Sequence, residues 1–416
     1  MAWKIYDGSI TPNFSAEVAA LQEGDVLVVE RGNDVNPLFI NLQSTAEITA
    51  RGVKIMGNNA IIRPDPGFAP GVSPLIRIAP PNGTPPPAFH LRNVELDSLH
   101  LWSNANAGTG TGTAVEILSR TLSAYTSAIR LNNCRIDNFT HGVYLDDVWD
   151  IFLDNCTIQD CENGIYMTMT SATPNGMGQL KLYGGTIQSN RFGIHCTAPS
   201  GTGALLNMVS LFGVSFGHCR GECGQASGIA VLLAHPSQLI SAFGCHFEDL
   251  SNAIYANATI EVGDAQQPMC LSLFGNVFQT MNPYNGTVNT NDILPGNRPV
   301  DGVTYLGNHL GTTFIDGAVR RVKALAVPSL NSNNDGGLIY AGNAWSDNPD
   351  SAARAQNQLP AQKMSPVYPT STIDDFQFPP AGYLPNEVPV GMTVFHRPTT
   401  KLYINDGTTW RQVQLT

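Results

Sequence analysis

The sequence predicts an all-β protein, a right-handed single-stranded parallel β-helix in which short strands coil around one core. An eight-residue pattern recurs about ten times, a further strand-like element follows most copies, and the composition suits short strands and turns. The octets VSLFGVSF (209–216), ISAFGCHF (240–247) and LSLFGNVF (271–278) follow one another at a spacing of 31 residues. Such a period is typical of a solenoid, in which each repeat forms one coil.

Each octet follows the template apolar-x-apolar-x-(Gly or Asn)-x-x-apolar. Apolar residues alternate in both halves, but the phase slips by one between them, so one residue must turn a corner. Only Gly and Asn occupy this position, since both tolerate the left-handed backbone region. We therefore expect one edge of the solenoid to carry these corner residues: Gly52, Asn93, Asn133, Asn155, Gly184, Gly213, Gly244, Gly275, Gly307 and Gly342.

A third element follows most octets after about seven residues, which gives three short strands per coil. Its copies are GVYLDD (142–147), GIYMTM (164–169), GIHCTA (193–198), GIAVLL (228–233) and AIYANA (253–258). Coils stacked at about 4.8 Å place like side chains on one another. The third octet position, mostly Leu, should therefore be buried, and the sixth should end in an amide ladder of Asn276, Asn308 and Asn343.

Four segments are predicted along the chain. Residues 1–25 hold an attachment segment and a capping helix through Val18 and Leu21, since an open solenoid end needs a cover. Residues 26–345 form the β-helix and begin with a strand from Val26 to Val29. A Pro-rich linker or strap spans 346–387, and a small β-meander with strands MTVF, KLYI and WRQV spans 388–416.

Charge and composition limit the classes of partner and cofactor that we expect. The net charge is −11 and no basic run occurs, which argues against nucleic acid and against an anionic membrane. The opening MAWKIYDGSI lacks the features of a signal peptide, so synthesis in the cytoplasm without one is expected. Cys219 and Cys223 form a lone C-x₃-C, for which free thiols are favoured over a zinc site. We expect no metal and no cofactor.

Two stretches resemble known families. LQEGDVLVVERG followed by ITARGVKIMGNNAIIRP is similar to the first coils of the pectate-lyase-like β-helix superfamily. PVGMTVFHRPTTKLYINDGTTW resembles the small terminal module of bacteriophage tail fibres and tailspikes, on a pattern formed by Gly391, Phe395, Tyr403, Gly407 and Trp410. The first resemblance implies a fold, and the second implies a place on a virion.

An apolar stripe is predicted on the outer surface, at the fourth octet position. A continuous stripe of this kind is unusual on a monomer. Either a loop or the Pro-rich strap covers the stripe, or three rods pack through it, as in tailspike trimers. The resemblance thus implies a homotrimer as one of two explanations. The predicted interface residues are Tyr183, Phe212, Phe243, Phe274 and Leu306.

Aromatic residues also face outward on the third element: Tyr144, Tyr166, His195 and Tyr255, with Ala230 in the coil between the last two. Flat rings beside hydroxyls and amides suit a sugar chain, which makes these four rings the predicted glycan-binding residues. The alternative is a ladder of rings that only stabilises the sheet.

Five carboxylates cluster in two adjacent coils and are the weak candidates for catalysis: Asp146, Asp147, Asp150, Asp160 and Glu162. A glycoside hydrolase needs two carboxylates facing one groove. The calcium carboxylates and catalytic arginine of pectate lyases, and the paired aspartates of polygalacturonases, find no match here. The resemblance thus extends to the rod and not to its chemistry.

The leading hypothesis is a phage virion protein, a tailspike-like homotrimer on the particle surface that recognises a host surface polysaccharide and joins other virion proteins through its N-terminal segment. One alternative is a glycan depolymerase, a hydrolase or lyase, on the same rod. Another is a structural decoration of the capsid or tail. The sequence alone leaves all three open.

Overall fold

The structure is a computed structural model. It describes residues 1–416 except 9–12, 31–37, 69–72, 84–88, 104–111, 122, 170–176, 198–205, 218–228, 234–236, 249, 251, 257–268, 280–292, 295–299, 307–308, 311, 316–317, 322–337, 342–343, 346–371, 374–392, 397–400, 406–408 and 414–416.

Three parallel sheets stack into a β-solenoid, as predicted. Sheet A, the longest, consists of Trp3–Tyr6, Val26–Val29, Lys54–Met56, Phe89–Arg92, Glu95–Asp97, Ala124–Asn132, Trp149–Asp154, Met177–Tyr183, Leu206–Phe212, Ser237–Phe243, Met269–Phe274, Val300–Leu306 and Leu338–Ala341. Sheet B consists of Phe39–Leu42, Ile61–Pro64, His100–Trp102, Arg135–Asp137, Thr157–Gln159, Thr186–Gln188, Ser215–Gly217, His246–Glu248, Val277–Gln279, His309–Leu310 and Ala344–Trp345. Sheet C consists of Ala46–Ile48, Ile76–Ile78, Thr113–Leu118, His141–Asp146, Asn163–Thr168, Phe192–Cys196, Ile229–Leu233, Asn252–Ala256 and Ile293–Leu294.

Like residues stack through successive coils, which is why one apolar pattern can repeat along the chain. In sheet A, Leu131 pairs with Leu153, Leu153 with Leu182, and Leu182 with Leu211. All four are buried. Inside sheet B the rings of Phe216 and Phe247 stack at 5.3 Å. Burial of these columns removes apolar surface from water along the rod and supplies the main stabilising term.

The corner between sheets A and B carries the predicted Gly/Asn edge through the middle of the rod. Its residues have φ between 50° and 63° and stack coil on coil: Asn133, Asn155, Gly184, Gly213, Gly244 and Gly275. An added Cβ at Gly213, Gly244 or Gly275 would meet nothing within 4 Å. The restriction therefore comes from the left-handed backbone and not from lack of space.

In the first coils the predicted edge is wrong. The Gly52 amide donates to the Arg92 carbonyl, and Gly52 lies at the corner between sheets C and A. Asn93 follows Arg92, at a bend between the sheet A strands Phe89–Arg92 and Glu95–Asp97. The residue that stacks below Asn133 is Ser98, whose φ is 55° and whose amide donates to Asn132. The corners and the bend all need a left-handed residue, so the template fits each of them. Gly307 and Gly342 lie outside the described residues.

The buried column shifts with the corner. Leu131 pairs with Leu96, and not with the predicted Leu91, whose partner is Thr126. Ala50, predicted to begin this column, is only partly buried. The octet at 48–55 therefore passes from sheet C to sheet A, and both halves of the octet at 89–96 lie in sheet A.

Buried polar groups in the core bond to backbone. The amide of Asn276 accepts from the Cys245 N–H at 2.9 Å and donates to the Ala242 carbonyl at 3.0 Å, both in the preceding coil. These bonds differ from the predicted amide-to-amide ladder, whose other members, Asn308 and Asn343, are not described. Cys134, Cys156 and Cys245 are buried free thiols, as expected of small apolar residues. Cys219 and Cys223 are not described.

The N-terminal end of the rod is capped as predicted. A helix spans Phe14–Ala19, where the Asn13 side chain accepts from the Ala16 amide, and it packs against Ala46–Ile48. The strand Trp3–Tyr6 was not foreseen; it pairs with Val26–Val29 and extends sheet A by one strand. In the described part of the chain, no helix is long and apolar enough to cross a membrane.

Two further sheets follow the coils. Thr312–Ile315 and Ala318–Arg321 form an antiparallel hairpin. The C-terminal sheet contains the three predicted strands, Thr393–His396, Lys401–Asn405 and Trp410–Val413, paired antiparallel. Thr372–Ile373, inside the segment interpreted as a linker, adds a parallel strand to this sheet.

Candidate functional site

The outer face of sheet C brings three of the four predicted glycan-binding residues together. Tyr144 pairs with Tyr166, and Tyr166 pairs with His195, in three successive coils. Their neighbours along each strand, such as Val143 and Leu145, are buried in the core. Alternation along the strand thus turns the three rings outward, where each is half-buried.

The rings contact one another at varied angles. Tyr144 and Tyr166 stack at 5.5 Å with 24° between their planes. His195 meets Tyr166 edge-on at 5.3 Å and 89°. His141, which was not predicted, lies 4.6 Å from the Tyr166 ring. Because His195 is turned out of the stack, the cluster is less regular than a simple ladder.

Asn163 connects the two histidines. Its amide oxygen accepts from Nδ1 of His195 at 2.8 Å, and its amide nitrogen donates to Nδ1 of His141 at 3.2 Å. One end of an amide only accepts and the other only donates, so this bridge sets the two imidazoles in opposite tautomers. His195 keeps a lone pair on Nε2, and His141 keeps a proton there. We call Tyr144, Tyr166, His195, His141 and Asn163 the Tyr–His cluster.

Burial sets the protonation state of the cluster. Desolvation, with smaller contributions from His141 and Arg191, lowers the pKa of His195 to about 4. Desolvation also lowers the pKa of His141, which Glu162 partly offsets. Burial raises the pKa of Tyr144, with Asp146 as the second cause. At neutral pH the cluster is therefore uncharged and offers donors and acceptors of hydrogen bonds.

The sequence contains a signal for the two missed residues. His141, Asn163 and Phe192 each directly precede the glycine that opens the third element of their coil. His141 pairs with Asn163, and Asn163 pairs with Phe192, so they form a second column beside the first, in which Asn163 and Phe192 are buried. Phe192 lies 4.8 Å from the His195 ring. The Thr197 hydroxyl, two residues beyond His195, donates to the Tyr166 hydroxyl at 2.9 Å.

Farther along sheet C the predicted column needs one correction. His195 pairs with Leu232, and Leu232 pairs with Tyr255, so Leu232 takes the place that was predicted for Ala230. Aligning the glycines misplaced this strand by two residues, because Phe192 pairs with Ile229. Tyr255 thus shares the column but lies two strands beyond His195. The side chains of Leu232 and Tyr255 lie outside the described residues.

The candidate carboxylates divide between the two ends of sheet C. Asp146 and Asp147 lie at the end of the strand His141–Asp146. Glu162 lies in the next coil, beside Thr140 and therefore ahead of the start of that strand. Six residues separate these positions, which is roughly 20 Å at about 3.3 Å per residue. An acid and a base for glycoside hydrolysis lie within about 9.5 Å. The structure does not bring the two groups together.

Backbone conformation explains why three of these carboxylates occur where they do. Asp147, Asp150 and Asp160 have φ of 53°, 53° and 57°. At the corner between sheets B and C, Asp160 stacks between Asn138 of the preceding coil and Ser189 of the following coil. Asp and Asn tolerate this left-handed conformation better than most residues. Turning a corner is thus a structural role that accounts for them.

Carboxylates surround the Tyr–His cluster. Glu116 lies opposite Tyr144 on the neighbouring strand of sheet C, and its carboxylate forms an ion pair with Arg77. Glu162 pairs with Arg191 at 3.2 Å on the other side. Asp146 follows Tyr144 by two residues on the same face. No group of three His, Cys, Asp or Glu residues that could hold a metal ion occurs in the described part of the chain.

The predicted stripe lies on sheet A and is regular. Tyr183, Phe212, Phe243 and Phe274 are paired coil to coil, with ring centroids 5.0–5.2 Å apart and planes within 8° of parallel. Tyr183 is 40% exposed and the other three rings are half-buried. We call these four rings the aromatic stripe. Leu306 pairs with Phe274 and continues it, although its side chain lies outside the described residues.

Comparison with known proteins identifies no family for this chain. No protein-family model and no curated protein matches the chain. ORF18 of Geobacillus virus E2 is similar over 97% of this chain and 82% of its own, with a TM-score of 0.40 and 10% identity. The A-module of the mannuronan C-5 epimerase AlgE6 of Azotobacter vinelandii is similar over 79% and 85%, with a TM-score of 0.32 and 10% identity. These similarities carry no inference about function.

Proposed function

We propose that this chain is a phage virion protein, a tailspike-like β-helix that recognises a host surface polysaccharide through the Tyr–His cluster. The observation that supports glycan recognition is the bridge of Asn163 between His141 and His195, which places a donor and an acceptor among aromatic rings. Sugar hydroxyls need such paired donors and acceptors, and sugar C–H faces pack on rings. The tail-fibre-like C-terminal pattern supports the place on a virion.

The cluster favours a neutral polysaccharide. Its rings and imidazoles are uncharged at neutral pH, and carboxylates outnumber arginines around them. An anionic chain would be repelled at this face, particularly at low salt. We therefore propose a neutral O-antigen or capsule as the ligand class.

The stripe and the N-terminal strand are proposed as contact surfaces within the particle. Three copies pack through the aromatic stripe, which hides apolar surface that a lone rod leaves half-exposed. At the N-terminal end of the rod, Trp3 and Ile5 are 69% and 70% exposed on the outermost strand of sheet A. An edge strand with apolar side chains is suited to pairing with another chain. We propose it as the attachment to other virion proteins.

A binding panel tests the proposed function. The purified protein is applied to immobilised neutral and acidic capsular polysaccharides and O-antigens from bacteria, with heat-denatured protein as the control. Binding to at least one neutral polysaccharide, lost in Tyr166→Ala, is the expected result. A blank panel for a protein that still attaches to phage particles would favour a structural decoration instead.

The alternative of a depolymerase can be tested on the same samples. The candidate carboxylates lie roughly 20 Å apart across sheet C, so we expect the bound polysaccharide to keep its length. Size-exclusion chromatography after overnight incubation measures this. Shortened chains would overturn the non-enzymatic proposal, and their loss in Asp146→Asn or Glu162→Gln would show which end of sheet C acts.

A further inference from the structure

A second polar and aromatic surface lies on the outer face of sheet B, on coils nearer the N-terminus. His100 pairs with Arg135, and Trp102 pairs with Asp137. Ile62 pairs with Leu101 on the neighbouring strand. The next residues along these two strands, Arg63 and Trp102, therefore lie side by side. We call these five residues the sheet B face. None of them belongs to the Tyr–His cluster or to the aromatic stripe.

A buried carboxylate organises this face. Asp137 is 3% exposed, and its Oδ2 accepts from Nε2 of His100 at 2.6 Å and from Nε of Arg135 at 2.8 Å. Its Oδ1 is buried without a hydrogen-bond partner among the described residues. Because Oδ1 is out of reach of solvent, the carboxylate acts on this face through Oδ2, which holds His100 and Arg135 in place.

Arg135 is anchored at one end and open at the other. Its Nε is held by Asp137, yet the side chain remains 53% exposed. The terminal nitrogens of an anchored guanidinium form a rigid fork, which suits a carboxylate or sulfate group. Arg63 adds a second guanidinium, whose Nε donates to Asn41 and whose plane lies 4.5 Å over Phe39.

Two carboxylates at the ends of the sheet B strands are already engaged. Asp65 accepts from the Gly67 amide, and Asp160 accepts from the Gln159 side chain. Both lie three or more residues beyond the level of Arg135, which is roughly 10 Å. Of the charged side chains that form the sheet B face, the guanidinium groups of Arg63 and Arg135 outnumber the one carboxylate of Asp137, so the face carries a local positive charge on a negatively charged protein.

Hydroxyls and amides continue the same two columns in the next coils. Thr157 pairs with Thr186, and Gln159 with Gln188, whose amide donates to the Gln159 side chain at 3.0 Å. From Arg63 to Gln188 the face spans four coil spacings, or roughly 19 Å. Such a track has charged and aromatic residues at one end and neutral polar residues at the other.

We propose that the sheet B face binds an acidic polysaccharide, distinct from the neutral ligand of the Tyr–His cluster. An acid group of the sugar pairs with Arg135 and Arg63, and a sugar ring packs on Trp102. Thr157 and Gln159 bind hydroxyls of the following sugars. Charge complementarity selects this ligand class over a neutral chain.

Binding of polygalacturonate to the full chain tests the proposal, with dextran as the neutral probe. We expect polygalacturonate to bind at low salt and to weaken as salt rises, because the main contact is an ion pair. Arg135→Gln should lose about tenfold to a hundredfold in affinity, as expected for a charged hydrogen bond. Arg130→Gln is the matched control, since Arg130 is 44% exposed and ion-paired to Asp154 on sheet A.

A second variant keeps the test valid if Arg135→Gln disturbs the fold. Trp102→Phe should bind more weakly and lose the fluorescence change that polygalacturonate causes in the parent protein, while circular dichroism stays the same. Tyr166→Ala should leave polygalacturonate binding intact, which separates this inference from the proposed function. Equal affinities of Arg135→Gln and Arg130→Gln, or no binding of polygalacturonate at low salt, would overturn the proposal.

Discussion

The aromatic stripe on sheet A and the Tyr–His cluster on sheet C arise from the same stacking of coils, yet they differ in chemistry. In the stripe the ring planes are within 8° of parallel. In the cluster they meet at angles from 24° to 89°, and an amide bridges two imidazoles. Identical side chains in successive coils give a uniform apolar ridge, whereas varied ones leave polar atoms to bind a ligand. This variation within the column is the reason we propose a recognition site on sheet C rather than along the stripe.

The largest expected effect separates the two surfaces by ligand binding. Tyr144→Ala combined with Tyr166→Ala should weaken binding to the neutral polysaccharide by about a hundredfold, because two rings that bury sugar C–H surface are lost. Phe212→Ser, in the stripe, should leave the affinity of each site unchanged. Isothermal titration calorimetry with a short soluble oligosaccharide measures both variants, because a monovalent ligand is insensitive to a loss of the trimer. If Phe212→Ser lost as much as the double variant, the two columns would not differ in function.

The second test concerns the oligomer. Phe243→Lys places a charge within the stripe, so we expect the mass from light scattering to fall from three chains to one. Phe152→Lys is the control, because Phe152 also faces outward on sheet A but lies outside the stripe. A parent protein with the mass of one chain would remove the proposed trimer and favour a strap of the same chain over the stripe.

A smaller effect follows from the neutral histidine in the cluster. Burial lowers the pKa of His195 from 6.5 to about 4, so the fold favours the neutral imidazole. Its contribution to stability is complete above about pH 6.5 and is lost as the pH falls toward about 4, since the unfolded state then binds more protons. Between pH 7 and pH 4.5 the melting temperature should fall less for His195→Gln than for the parent protein. An equal fall in both would show that other groups, such as His141, dominate.

The smallest effect tests the corner beside the stripe. Gly244 has φ of 61° and open space for a Cβ, so Gly244→Val should destabilise the rod by about 1–2 kcal/mol through the backbone alone. Gly244→Asn should cost less. Gly217→Val is the control, since Gly217 also has open space but no positive φ. Urea denaturation of the three variants compares them, and equal midpoints would contradict a left-handed corner.

The fold was largely predictable because each coil repeats one solution. Alternation and a left-handed corner residue are local properties, and they located the strands around Asn133 and Gly244 from the sequence alone. They failed at Gly52 and Asn93, because a second corner and a bend within sheet A need the same backbone conformation. Only the stacking order of the coils, which is not local, tells these positions apart.

The candidate site was less predictable. The outward rings Tyr144, Tyr166 and His195 followed from alternation, but Asn163 was missed because its role depends on contacts with histidines in the coils on both sides. The carboxylates looked like a pair in sequence, and the length of a strand separates them. Distances across coils depend on register, which the octet pattern does not give.

A structure of the protein with a neutral oligosaccharide, cut from the polysaccharide that binds best, tests the central claim most directly. We predict sugar density on the outer face of sheet C, with hydroxyls at Nε2 of His141 and His195 and a ring face against Tyr166. Density along the aromatic stripe, or a bound sugar with sheet C left bare, would contradict it.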